Sequence, residues 1–183
     1  KKPLILVTND DGISAPGLRS LIHMMNSIGE VVVVAPDSPQ SGMGHAITIN
    51  STLRCTQVKI DDGPQREFSC SGTPADCVKL GVHEILKRKP ELCVSGINHG
   101  SNAAINVIYS GTMSAAIEAG IEGIKSIFEL KLFINNILYL KVQLLDYIHH
   151  LSFFGYTAPN SGFQDTTGLC YSTHLQNGFV ASS

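Results

Sequence analysis

Residues 4–7 form a short run, Leu-Ile-Leu-Val, apolar at every position, that stops abruptly at Thr8, Asn9, Asp10, Asp11 and Gly12. Continuous apolarity, as opposed to alternation, predicts a strand covered on both faces, and the polar stop marks where it leaves a sheet. From Pro16 onward Leu18, Leu21, Ile22, Met25 and Ile28 recur at helical spacing, with Gly29 as a C-terminal stop. A second β-branched run over residues 31–35 ends at Pro36. Strand, helix and strand in this order predict a βαβ unit, a parallel sheet and a right-handed crossover.

The next segment, residues 45–68, alternates instead, through Ile47, Ile49, Leu53, Val58 and Ile60, and carries an Asp-Asp-Gly turn at 61–63. It reads as an inserted hairpin. Thr73 with Pro74 at the first helical position predicts a helix through Leu86, and residues 92–95 predict another buried strand. A loop rich in Gly, Asn and Ser then spans residues 96–110, before a small-residue helix over 111–119. Residues 130–148 are compatible with helix or strand, and residues 161–183 are polar with little periodicity.

A chain of 183 residues, 43% hydrophobic and 15% charged, has the size and composition of one globular domain. Its net charge of −2, with no run of basic residues, speaks against a nucleic-acid polymer as partner. Small phosphorylated molecules stay open, because helix termini and metals bind them without net positive charge. Five cysteines (Cys55, Cys70, Cys77, Cys93, Cys170) without C-x-x-C spacing indicate neither a disulfide framework nor a zinc site. They are expected to be reduced, in a cytoplasmic protein. The apolar stretch over 124–145 is broken by Lys125, Glu129, Lys131, Asn135, Asn136 and Lys141, so no membrane span is predicted.

Ligands of open α/β sheets bind beyond the carboxyl ends of the strands. Those ends here are residues 9–12, 37–44 and 95–100, all crowded with oxygen-bearing side chains. The adjacent carboxylates of Asp10 and Asp11 repel each other unless a cation or proton lies between them. Hard oxygen ligands favour Mg²⁺, Mn²⁺ or Ca²⁺; the competing reading is that Asp10 caps the next helix while Asp11 is solvated. Ser41, in the glycine-rich SGMGH stretch, offers a neutral oxygen or merely a turn. Asn98 offers an amide to metal or phosphate, or an Asx-turn. Ser110-Gly111-Thr112 at a helix start forms an anion site or an ordinary cap. His45 and His99 fall in strand-end loops, His23 and His83 in helices, and His149 and His150 read as surface residues.

Five segments in order, VTNDDG, APDSPQSGMGHAIT, SGTPADCVKL, VSGINHGSN and YSGTMSAAIEAG, resemble the stationary-phase survival protein SurE family over residues 3–127. The resemblance implies a Rossmann-like three-layer α/β/α fold with a mostly parallel sheet, over one domain (1–183) with an atypical C-terminal extension (128–183). It implies one divalent cation per subunit, Mg²⁺ or Mn²⁺ with Ca²⁺ as a crystallographic substitute, held by Asp10, Asp11, Ser41 and Asn98. It further implies hydrolysis of nucleoside 5′- and 3′-monophosphates, or other small phosphate monoesters, by a metal-activated water. Asp10, Asp11 and Asn98 would be catalytic, and Asn9, Ser41, Gly42, His45, Asn98, Ser110, Gly111 and Thr112 would bind substrate. A homodimer or homotetramer is expected, from the resemblance and from the many apolar residues over 130–148. The tail departs from the family pattern, apart from a faint likeness over 165–180. A receiver-like or nucleotide-binding signalling module that holds Mg²⁺ without hydrolysis is the alternative, although the strand end at 95–98 lacks the Asp that a receiver domain phosphorylates.

Overall fold

The computed structural model describes residues 1–40, 42–99, 109–134 and 137–145, without the side chains of 99 and 129–145, all within the unit Lys1–Ile148. Ser41, most of the Asn-rich loop, the paired histidines, Cys170 and the tail stretch 165–180 lie outside the described residues.

β1 (Leu4–Thr8) is buried at every position, as its unbroken apolar run requires. It lies between β2 (Glu30–Pro36) and β5 (Leu92–His99), parallel to both. β4 (Arg66–Cys70) extends the sheet parallel to β2, and β3 (Cys55–Val58) closes that side antiparallel. On the other side β6 (Ser126–Ile134) runs parallel to β5, and β7 (Ile137–Leu145) pairs antiparallel with β6. The order is β3-β4-β2-β1-β5-β6-β7, a mixed, mostly parallel sheet as expected.

The strand period of two divides the core between the faces. Ile5, Val7, Val31, Val33 and Val94 pack with Leu18, Leu21, Ile22 and Met25 of α1 (Pro16–Ile28). Leu4, Leu6, Val32, Val34 and Cys93 pack with Cys77 and Val78 of α2 (Pro74–Leu80) and with Ala115 and Ala119 of α3 (Gly111–Ile121). Three α/β/α layers result, with α1 on one face and α2 and α3 on the other.

Gly29 ends α1 for a reason other than the left-handed stop expected of it. Its φ of −148° is extended, but a Cβ there would lie 2.5 Å from the Pro3 carbonyl and 2.7 Å from the Ile5 side chain. The glycine is a close-approach position, letting α1 turn directly into β2. Thr73 and Asp76 form a reciprocal capping box at the start of α2. The helix expected through Leu86 ends at Leu80 and continues as a single wider π-helical turn, Gly81–Ile85.

Two further expectations are corrected. The hairpin is no insertion: its strands cover only Cys55–Val58 and Arg66–Cys70 and complete the main sheet. Ile47 and Ile49, counted in its alternation, lie outside any strand and are exposed. The cysteines are not all reduced, because the register sets Cys55 opposite Cys70 and a disulfide joins them. Their separation of 15 residues gives no hint of that pairing along the chain. Cys77 and Cys93 are free and buried, and burial pushes the Cys93 thiol up to about 12. Beyond residue 125, where helix and strand were both open, Ser126–Ile134 and Ile137–Leu145 add two strands to the sheet.

A charged tie between layers joins α1 to β4. Arg19 donates from both terminal nitrogens to Glu67, at 3.0 and 2.7 Å, and from Nε to Asp61 at 2.6 Å. Glu67 is 2% exposed. Burial alone would lower the Arg19 pKa, but the bonds to Glu67 and then Asp61 outweigh it, and the net direction is upward.

Candidate functional site

At the carboxyl end of β1 the chain turns sharply, held by the Asn9 side-chain amide donating to the Gly12 carbonyl at 2.9 Å. The Asp10 carbonyl accepts the Gln40 N–H at 2.8 Å. This bond seats the loop after β2, at Gln40, beside the acidic turn; Ser41 itself lies outside the described residues. Gly42, next along, is exposed with φ of +78°.

Asp10 does not cap α1. The N-cap of that helix is Ala15, with no side-chain cap, and Pro16 occupies the first turn. The 3%-exposed Asp10 instead faces the start of α3, where the Thr112 hydroxyl donates to its Oδ1 at 2.6 Å. Gly111 makes that approach possible, since a Cβ there would lie 2.5 Å from the Asp10 Cβ and 3.0 Å from its Oδ2. Ser110 serves as N-cap, its hydroxyl accepting from the Met113 N–H at 3.2 Å. The cap reading of Ser110 therefore holds. Ser110 caps the helix, while Gly111 and Thr112 present its N-terminal end, with its partial positive charge, to a carboxylate. Asp11 is partly buried.

Asn98 reaches the same end of the sheet from the neighbouring strand. β1 and β5 are in register up to Thr8 and Ser95, beyond which β5 shifts register against β6 between Ser95 and Asn98. Asn98 is buried. Among the described residues no group of three or more His, Cys, Asp or Glu is arranged to hold a metal. A cation site here would thus draw on Asp10, Asp11 and the Asn98 amide, an all-oxygen set suited to a hard divalent ion. Thr8 Oγ1, Asn9 Oδ1 and Ser95 Oγ are buried without hydrogen-bond partners at the same strand ends. Buried polar atoms are rarely left unmatched, so three of them together fit a site built for a polar or charged guest.

His45, in the loop after β2, is bound to a residue that sequence reasoning missed. Its Nε2 lies 2.7 Å from Oε2 of Glu118 on α3. The other Glu118 oxygen lies 2.6 Å from Lys79 Nζ of α2. Burial pushes the Glu118 pKa up, but the hydrogen bonds from His45 and Lys79 outweigh it and leave it below its ordinary value. The available signal was compositional: Glu118 is the one charged residue in GTMSAAIEAGI, otherwise small or apolar, and a charge on a buried helix needs a partner.

The family model for Survival protein SurE matches residues 5–128. The 5′-nucleotidase SurE of Flavobacterium psychrophilum is 75% identical over 126 residues, covering 69% of this chain and 49% of the relative. That of Christiangramia forsetii is 73% identical over 128 residues, with the same shares. The chain spans about half the length of the curated relatives it matches. Among solved structures, the SurE protein from Aquifex aeolicus aligns with a TM-score of 0.61 at 25% identity, covering 95% of this chain and 90% of that one.

Proposed function

The chain belongs to the SurE family, and from that premise we propose that it acts in a nucleotidase hydrolysing phosphate monoesters, nucleoside 5′- and 3′-monophosphates foremost. The observation that carries the reading is the buried Asp10 carboxylate set against the N-terminal end of α3 through Thr112 and Gly111. Asp10, the partly buried Asp11 and the buried Asn98 belong to the same end of the sheet, which supports a site there beside the backbone N–H groups of a helix start, a feature suited to phosphate.

Asp10, Asp11, Asn98 and Ser41 would hold one divalent cation, Mg²⁺ or Mn²⁺. When bound, such a cation supplies Lewis-acid polarisation of the phosphoryl oxygens and lowers the pKa of water. Thr112 fixes the Asp10 carboxylate by its hydrogen bond. The α3 start, from Ser110 to Thr112, would orient the phosphate and meet the charge that develops on it. Asn9, Gly42 and His45 would complete the substrate contacts. A homo-oligomer belongs to the same proposal, as does a cytoplasmic setting; no described helix is long and apolar enough to cross a membrane.

The 5′-nucleotidase names of the close relatives support the reaction class. Asp10→Asn and Asp11→Asn test the site. Each should reduce phosphate release from nucleoside monophosphates by about a hundredfold or more while leaving the far-ultraviolet circular dichroism unchanged. Turnover retained in either correctly folded variant would overturn the assignment.

A further inference from the structure

The loop carrying His45 is fastened on both sides of that residue. The Gly44 N–H donates to the Tyr109 carbonyl at 3.3 Å, just before α3. The Thr73 hydroxyl donates to the Ala46 carbonyl at 2.7 Å, and Thr48 donates from its backbone and its hydroxyl to Asp76, at 3.0 and 2.7 Å. With the backbone held, the remaining freedom of His45 is its ring, and Glu118 takes hold of that at Nε2. The Glu118 side chain is 4% exposed, and its second oxygen is taken by Lys79. Lys79 in turn lies 3.3 Å from Glu122, whose Oε1 is 3.1 Å from His83 Nε2. Lys79, Glu122 and His83 are thus the other charged or titratable groups joined to the pair.

We propose that Glu118 is a positioning residue that fixes the His45 ring through Nε2, leaving Nδ1 as the nitrogen that gives a proton to the departing oxygen of a phosphate ester. This rests on the phosphomonoesterase reading above. An ionised carboxylate only accepts hydrogen bonds, so Nε2 carries a proton in the pair and exchange falls to Nδ1. Lys79 keeps Glu118 in that acceptor state. Glu118 lies six residues along α3 from Thr112, about 9 Å of helix axis, and helical side chains lean back towards the N-terminus. The Gly44–Tyr109 bond meanwhile holds the residue before His45 at the entry to α3, so the His45 loop runs from Glu118 back to the helix start where the phosphate would be held.

In the step itself, water oxygen bonds to phosphorus as the phosphorus–oxygen bond to the sugar breaks. The His45 imidazolium, with Nε2–H held by Glu118, passes its Nδ1 proton to the leaving oxygen and becomes neutral, and the proton released by the water returns to Nδ1 and restores the imidazolium after the products separate. The sum is one water consumed, with one alcohol and one phosphate formed. A sugar alkoxide is a poor leaving group and depends on that proton; p-nitrophenolate leaves without it.

The test compares His45→Ala, Glu118→Gln and the double variant, each as the full chain, on a nucleoside 5′-monophosphate and on p-nitrophenyl phosphate. Both single variants are expected to lower kcat on the nucleotide by about tenfold to a hundredfold, with a loss at least several-fold smaller on p-nitrophenyl phosphate. The double variant is expected to be no slower than His45→Ala, because both changes remove one function. Equal losses on the two esters, an effect confined to KM, or multiplicative losses in the double variant would overturn the proposal. Imidazole ¹⁵N spectra decide the pairing independently of turnover. His45 should carry a proton on Nε2, with a resonance that moves in Glu118→Gln, and a neutral ring protonated on Nδ1 alone or an unmoved Nε2 resonance would overturn it. A wild-type chain that hydrolyses neither ester would refute the phosphomonoesterase reading, and with it the proton-transfer role, while the spectra still decide whether Glu118 positions the ring.

Discussion

Asp10 and its two neighbours on α3 show how little separates a strand-end turn from a site. The carboxylate is buried, which is costly unless it is hydrogen-bonded or paired, and Thr112 supplies a bond to it from a residue 102 positions away. Replacing Thr112 by Val keeps the shape and removes the donor. A bond to a buried charge contributes about 1.5–3 kcal/mol, so kcat/KM on a nucleoside monophosphate should fall roughly tenfold to a hundredfold; unchanged kinetics would show that the bond is idle. Gly111→Ala should be more severe, since the added Cβ would displace Asp10 itself. Divalent-cation affinity, measured by calorimetry, is the property expected to weaken most. Asp10 was legible in the sequence as a strand-end carboxylate, and Thr112 as a helix-start hydroxyl. That one binds the other was not, because the contact depends on β1 and α3 meeting across the sheet end.

Between elements, buried charge does the joining. Arg19 sits among the apolar residues of α1 and Glu67 within β4, and each would be anomalous alone. Arg19→Ala would strand Glu67 in the interior with only the Gln65 amide left, at 2.7 Å, and loss of one partner of a buried pair costs about 3–5 kcal/mol. Urea unfolding should show a loss towards the lower end of that range, since Arg19 keeps some exposure; a change under about 1 kcal/mol would contradict the account. The apolar strands and α1 were readable because their periods are strong and their burial complete. The first half of the expected hairpin was not, since Ile47 and Ile49 mimic strand alternation while the adjacent Ala46 and Thr48 are tied down by Thr73 and Asp76. Residues 130–148 resisted reading because an apolar run alone does not separate helix from strand; among the described residues, sheet pairing makes Ser126–Ile134 and Ile137–Leu145 strands. The Cys55–Cys70 bond followed from register, which spacing does not encode.

Across the whole molecule, the chain His45–Glu118–Lys79–Glu122–His83 links the loop after β2, α2, the π-helical turn and α3. Its titration gives stability a defined pH course. Burial raises the Glu118 and Glu122 pKa values, but hydrogen bonds, led by His45 for the first and His83 for the second, outweigh it and hold both below the ordinary 4.5. A depressed carboxyl contributes stability that is present above 4.5 and lost as pH falls through the folded-state value. Lys79 behaves oppositely: the bond to Glu118 raises its pKa above 10.5, so its contribution holds below that value and is lost as pH rises through the folded one. The urea midpoint should therefore fall on both limbs, and Glu118→Gln with Glu122→Gln should flatten the acid limb; an unchanged acid slope would contradict the network's role. The central claim concerns the other end of α3, where a hard cation and a phosphate ester are proposed to meet. Phosphate release from a panel of nucleoside monophosphates, measured after exhaustive chelation and again after adding back Mn²⁺ or Mg²⁺, tests it most directly. The account expects release to vanish on chelation and return with the metal, whereas full activity in the chelated protein would contradict it.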